Sequence, residues 1–154
     1  MELSDILTPE AVKSVSNSLS KKRLLQEMAE KAGDVYGIDA EQAFSALQER
    51  EALGPTGVGD GVAIPHARLE GLDRVIGVFR RLEKPVDYDA VDRQPVDLVF
   101  ALFAPVNSGV EHLKALALIS RLLRDAANRS KLRSNEDAST LYAILTEVAA
   151  HRAA

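Results

Sequence analysis

Between Pro95 and Pro105 lies Val96-Asp97-Leu98-Val99-Phe100-Ala101-Leu102-Phe103, a stretch with hardly a polar break. A strand with one wet face alternates apolar and polar residues, whereas a run this continuous needs cover on both faces. A sheet lying between layers of helices meets that need, and the flanking sequence offers both kinds of element. Val62-Ala63-Ile64 and Val75-Ile76-Gly77-Val78-Phe79 are strand-like. Pro85 to Tyr88 reads as a further short extended piece, and Ala11 to Ser16 as another, with Val12 and Val15 inward. Ile6-Leu7-Thr8-Pro9 is a brief apolar element stopped by proline.

Helices fill the intervals. Ser20 is placed to cap a helix running to about Ala32, with Leu24, Leu25, Met28, Ala29 and Ala32 as its apolar stripe. Gly33 and Gly37 then flank a loop. Asp39 and Gln42 have capping-box spacing before a helix to about Leu53 that buries Ala43, Phe44 and Leu47. Ser108 and Glu111 repeat that spacing ahead of a helix carrying Leu113, Leu116, Ala117, Ile119, Leu122 and Leu123. A last helix, about Asp137 to Ala149, turns Leu141, Ile144, Leu145 and Val148 inward. Strands alternating with helices predict an α/β domain layered around one sheet, a single domain over residues 1–154.

Chemistry concentrates in Gly54-Pro55-Thr56-Gly57-Val58-Gly59-Asp60-Gly61-Val62-Ala63-Ile64-Pro65-His66-Ala67-Arg68. Glycines let backbone approach backbone or ligand closely. Pro65 fixes its own φ and pushes Ile64 toward an extended conformation, so His66 is delivered under constraint at the end of a strand-like segment. Imidazole is the side chain that changes between nucleophile and cation near neutral pH. The alternative for His66 is a loop histidine that only hydrogen-bonds. His112 falls in the first turn of the helix capped by Ser108, where unpaired N–H groups favour an anion and disfavour imidazolium. There it either donates to a phosphoryl oxygen or merely packs. Arg50, near a helix C-terminus, is either a dipole partner or a fork for phosphate oxygens. Arg68 adds positive potential beside His66 or is a solvated charge, and His151 is expected in solvent.

Other chemistries fit poorly. The chain has no cysteine, which removes disulfides and thiolates. A net charge of −4 argues against a general nucleic-acid binder. No apolar run is long enough to cross a bilayer, and Met1-Glu2-Leu3-Ser4-Asp5 lacks the marks of a secretory signal, so a cytoplasmic location is expected. Gly57-Val58-Gly59-Asp60-Gly61 matches neither the dinucleotide fingerprint nor a phosphate loop. His66, His112 and Asp60 offer zinc-binding atoms without the spacing of a zinc motif, and no G-x-S-x-G elbow is present.

Glu49-Arg50-Glu51-Ala52-Leu53-Gly54, Thr56-Gly57-Val58-Gly59 and Val62-Ala63-Ile64-Pro65-His66 together resemble the signature of IIA phosphocarrier domains of the fructose/mannitol class of the bacterial phosphotransferase system. Ser20-Lys21-Lys22-Arg23, Asp92-Arg93-Gln94-Pro95-Val96-Asp97-Leu98 and His112-Leu113 fall where that family has similar stretches. The resemblance covers nearly the whole chain and is strongest to the family's stand-alone, nitrogen-regulatory branch, with no room for an attached IIB or IIC domain. It implies an α/β sandwich, a mixed sheet flanked by helices. It also implies that His66 accepts a phosphoryl group from an HPr-type phosphocarrier, with His112 and Arg50 as its active-site partners, and that regulatory target proteins lie downstream. No metal or cofactor is expected, because the group moves between imidazoles. Pro55, Asp60 and Ala67 depart from common family residues, and Asp60 would add negative charge near an incoming phosphate. Alternatives are a protein-binding regulator of the same fold that is not phosphorylated, a sugar-uptake IIA component served by a separate IIB, and a metal hydrolase.

Overall fold

The computed structural model describes residues 1–153, with side chains described through Glu147. Among these residues six strands form one mixed sheet: β1 (Val12–Val15), β2 (Gly57–Gly59), β3 (Val62–Ala63), β4 (His66–Leu69), β5 (Ile76–Val86) and β6 (Val96–Pro105). Its order is β1-β5-β6-β3-β2, with β4 also on β6. β6 is central, as its unbroken apolar run requires. It pairs antiparallel with β5 on one side and parallel with β3 and then β4 on the other. Every residue from Leu98 to Ala104 is fully buried. Pro85 to Tyr88 is not a separate element, because β5 continues to Val86 across a register shift after Arg81.

Two groups of helices flank the sheet. α1 (Lys21–Tyr36) and α2 (Ala40–Ala52) pack on each other and on β5 and β4. α3 (Gly109–Arg124), α4 (Ala126–Arg133) and α5 (Ala138–Ala153) pack together against β6, β5 and β1. Leu24, Leu25, Met28, Ala29 and Ala32 are buried as their spacing predicts. Ser20 Oγ accepts the Arg23 N–H, and Asp39 accepts the Gln42 N–H at 3.1 Å. α1 runs past Ala32, however. Gly33 is helical, and a Cβ there would lie 3.1 Å from the Ile38 carbonyl oxygen, so this glycine serves close approach rather than a break. Gly37, at φ 75°, takes the left-handed position that ends the helix.

Other expectations shift. The Ser108 hydroxyl turns back to the Pro105 carbonyl at 3.0 Å and makes no cap bond, so no capping box forms. α3 buries His112, Ala115, Ile119, Leu122 and Leu123, leaving Leu113 64% exposed and Ala117 outward. α4 has only Asn128 and Leu132 inward, too short a stripe to register as periodicity. In α5, Leu141 and Leu145 are buried and Ile144 is half-buried, while the side chains of Val148 and His151 lie outside the described residues. Among the described residues no helix is long and apolar enough to cross a membrane.

Candidate functional site

The glycine-rich segment is not a loop throughout. β2 and β3 form a hairpin whose two turn residues, Asp60 and Gly61, have φ of 58° and 78°. Two consecutive positive φ values match the twist of a tight hairpin and favour Asp-Gly. The Gly61 carbonyl accepts the Asp97 and Leu98 N–H groups, which fastens the hairpin to β6.

His66 stands at a break in the sheet. β3 pairs with Leu98 and Val99 of β6, and β4 resumes pairing at Leu102. Ile64 and Pro65 lie between. Pro65 has no N–H for the ladder, but its carbonyl accepts the Leu102 N–H at 2.9 Å. His66 therefore opens a strand instead of closing one. Its Nδ1 is 2.8 Å from the Ile64 carbonyl oxygen. A carbonyl only accepts, so in the neutral ring Nδ1 carries the proton and Nε2 keeps its lone pair.

The other candidates converge on the same place. Arg50, Leu53, His66, Arg68 and His112 line one open depression of ≈ 410 Å³. The two imidazole centroids are 5.6 Å apart, with the rings inclined at 59°. Arg50 donates from Nη1 to the Gly54 carbonyl at 2.9 Å, which directs its guanidinium along the glycine segment. Arg68, exposed on β4, donates to the Val106 carbonyl at 3.1 Å.

The surroundings of both histidines favour the neutral ring. Burial lowers the His66 pKa from 6.5, and the Arg50 charge lowers it further, against the Ile64 hydrogen bond and the Glu51 carboxylate, which raise it. His112 is 7% exposed, and burial lowers its pKa first, then the neighbouring His66 and Arg68. Its Nδ1 is buried without a hydrogen-bond partner among the described residues. A neutral ring meets this cheaply by leaving the lone pair on Nδ1 and the proton on Nε2, toward the depression.

Asp60 does not belong to this group. Its carboxylate lies 3.9 Å from the Arg129 guanidinium, its carbonyl accepts from Arg133, and it does not line the depression. His66, His112 and Asp60 thus do not form a common ligand set, and no group of three or more metal-ligating side chains occurs among the described residues. Sequence reasoning missed the buried cluster of Glu51, Thr56 and Tyr88 behind His66. Its members lie up to 37 residues apart, so spacing carries no signal for it.

A profile of the family described as "Phosphoenolpyruvate-dependent sugar phosphotransferase system, EIIA 2" matches residues 5–148. A nitrogen regulatory protein of Bradyrhizobium diazoefficiens is 48% identical over 145 residues, covering 94% of this chain and 95% of that one. Another from Escherichia coli K12 is 39% identical over 148 residues, covering 96% and 91%. The crystal structure of nitrogen regulatory protein IIA-Ntr from Neisseria meningitidis superposes with a TM-score of 0.85 at 35% identity, covering 93% of this chain and 98% of that one. The expected mixed-sheet sandwich is thus the fold seen here, and the chain belongs to the EIIA 2 family of the phosphotransferase system.

Proposed function

We propose that this protein is a phosphocarrier: Nε2 of His66 accepts a phosphoryl group from an HPr-type protein, and the phosphorylation state regulates partner proteins of a nitrogen-type system. The observation that carries the reading is the 2.8 Å contact between Nδ1 of His66 and the Ile64 carbonyl, which leaves Nε2 unprotonated in a depression shared with His112 and Arg50.

In the transfer, the Nε2 lone pair forms a new N–P bond while the donor's N–P bond breaks. The electron pair of the broken bond stays on the donor imidazole. No proton has to move, because the proton stays on Nδ1, which donates it to the Ile64 carbonyl as a hydrogen bond. Such a reaction needs positioning and charge stabilisation more than covalent machinery. Nε2–H of His112 and the guanidinium of Arg50 supply donors to the phosphoryl oxygens, and Arg68 adds positive potential. Burial keeps His66 neutral and nucleophilic below the pH at which an ordinary histidine protonates. Exposed apolar residues favour a protein as donor. Leu53 at 85% exposure lines the depression, and Val110 and Leu113, each at 64%, flank His112 on α3. Once phosphorylated, the surface gains about 1.5 to 2 negative charges, enough to alter partner binding.

The test is transfer from an HPr-type protein carrying radiolabelled phosphate. Wild type should take up acid-labile label and His66→Ala should take up none. Label persisting in His66→Ala refutes the assignment of the acceptor. No uptake by wild type refutes the phosphocarrier reading and leaves a binding regulator that is not phosphorylated.

A further inference from the structure

Behind His66 lies a buried acidic cluster that the transfer step does not touch. The side chain of Glu51 is 7% exposed, and Thr56 and Tyr88 are 3% and 0% exposed. The Thr56 N–H lies 3.2 Å from both carboxylate oxygens of Glu51, and the Thr56 hydroxyl donates to Oε1. Tyr88 OH donates to the same oxygen at 3.3 Å and lies 3.0 Å from Thr56 Oγ1. Lys21 Nζ completes the set, 2.8 Å from Oε2 and 4.6 Å above the Tyr88 ring. The other side of the segment is closed too: a Cβ on Gly57 would meet Ala90 Cβ at 2.6 Å and Tyr88 Cδ1 at 3.1 Å.

From this cluster a line of hydrogen bonds leads to the reactive ring. The Thr56 carbonyl accepts the Ile64 N–H at 3.0 Å. The Ile64 carbonyl, on the next peptide, accepts from His66 Nδ1 at 2.8 Å. We propose that Glu51 is a positioning residue for His66: by fixing Thr56 it holds the Ile64 peptide, and so keeps the His66 proton on Nδ1 and Nε2 free.

A merely structural account of the cluster is weak. A buried ion pair is poor value for stability, since desolvation offsets much of its attraction, and apolar residues of like volume would join α1, α2 and the hairpin as well. What a carboxylate adds is an acceptor for several donors at once, with stronger and shorter bonds than a neutral group makes. A fully satisfied buried network specifies one geometry. The consequence falls on the tautomer, because the proton's place on an imidazole is set by the bond its other nitrogen makes. Without the Ile64 carbonyl the ring drifts toward Nε2–H, which has no lone pair to attack phosphorus.

The geometry stands without the phosphocarrier reading, but its effect on rate rests on that reading, so two readouts are needed. Ring 15N NMR of His66 in the unphosphorylated protein reports the tautomer directly. Wild type should show Nδ1–H. Glu51→Ala should show a mixture of tautomers and a transfer rate lower on the order of 10- to 100-fold, as expected when a reacting atom is displaced by about 1 Å. Glu51→Gln keeps an acceptor for Thr56 and should restore the Nδ1–H signature. Should Glu51→Ala not fold, Thr56→Val, which removes the hydroxyl contacts to Glu51 and Tyr88 but keeps the Thr56 N–H, should shift the tautomer ratio in the same direction. A folded Glu51→Ala, or in its place a folded Thr56→Val, that keeps the pure Nδ1–H signature overturns the proposal. Failure of the wild type to accept phosphate overturns the phosphocarrier reading alone, and the ring spectrum still decides the role of Glu51.

Discussion

Truncation of His112 separates the chemistry of the site from its architecture. Its Nδ1 has no hydrogen-bond partner among the described residues, and its ring lies at the depression 5.6 Å, centroid to centroid, from that of His66, the proposed acceptor. His112→Ala therefore breaks no side-chain hydrogen bond within the fold. Removing the orphaned nitrogen relieves an unsatisfied buried group, and removing the ring opens a small gap beside solvent. These effects oppose each other, so the net change in stability should be ~1 kcal/mol or less. The transition state, by contrast, loses a donor to a charged oxygen. A hydrogen bond to a charged group contributes roughly 1.5–3 kcal/mol, which at RT of about 0.59 kcal/mol is roughly a 13- to 160-fold loss of rate. Single-turnover transfer from a phosphorylated HPr-type donor, at donor concentrations well below saturation, gives kcat/KM for wild type and variant. Urea denaturation of the same samples supplies the stability. His112→Gln, whose amide nitrogen falls near the place of Nε2, should recover most of the lost rate, whereas His112→Asn, which mimics the buried nitrogen, should not. A folded His112→Ala that transfers within about twofold of wild type would refute the donor role.

Two more outcomes follow from charge placement. The folded pKa values of His66 and His112 lie below 6.5, chiefly through burial. Near pH 6.5 the unfolded chain therefore binds more protons than the folded one, so stability rises with pH there. It is progressively lost as pH falls from about 6.5 through the lower folded values, and His112→Ala should flatten that slope in urea midpoints between about pH 7 and 5; an unchanged slope would count against a buried neutral His112. Asp60 is turned toward Arg129, so Asp60→Asn should change the transfer rate less than about twofold. A change of tenfold or more would show that its charge reaches the phosphoryl group after all.

Much of this molecule was readable because its strongest patterns are local. The doubly buried β6 follows from one apolar run, and the α1 stripe from helical spacing. That the three candidate residues meet in one depression has another basis. His66, His112 and Arg50 come from β4, α3 and α2, and nothing in their spacing brings them together; the family resemblance did. The misreadings share a cause as well. Gly33 reads as a loop marker, yet it sits inside a helix to admit Ile38, while Asp60-Gly61 makes a hairpin turn within the glycine-rich stretch. Glycine marks a demand on the backbone, and only the neighbouring chain says which demand it is.

The Glu51 cluster lies beyond either kind of reading. Lys21, Glu51 and Thr56 fall in stretches that carry the resemblance, but no role is implied for them there, and tertiary packing alone joins them with Tyr88 in one buried network. What they enclose is equally invisible from the motif. Ile64-Pro65-His66 announces a presented imidazole, but which nitrogen is presented depends on the Ile64 carbonyl. That carbonyl belongs to a residue whose own N–H, on the preceding peptide, is held by the Thr56 carbonyl, and Thr56 is held by Glu51. In the proposed carrier, residue identity thus supplies the nucleophile, while the hydrogen-bonded backbone around it decides which of its two nitrogens can react. On the proposed reading, a substitution in the cluster should therefore leave Ile64-Pro65-His66 in place and still remove the lone pair on which transfer would depend.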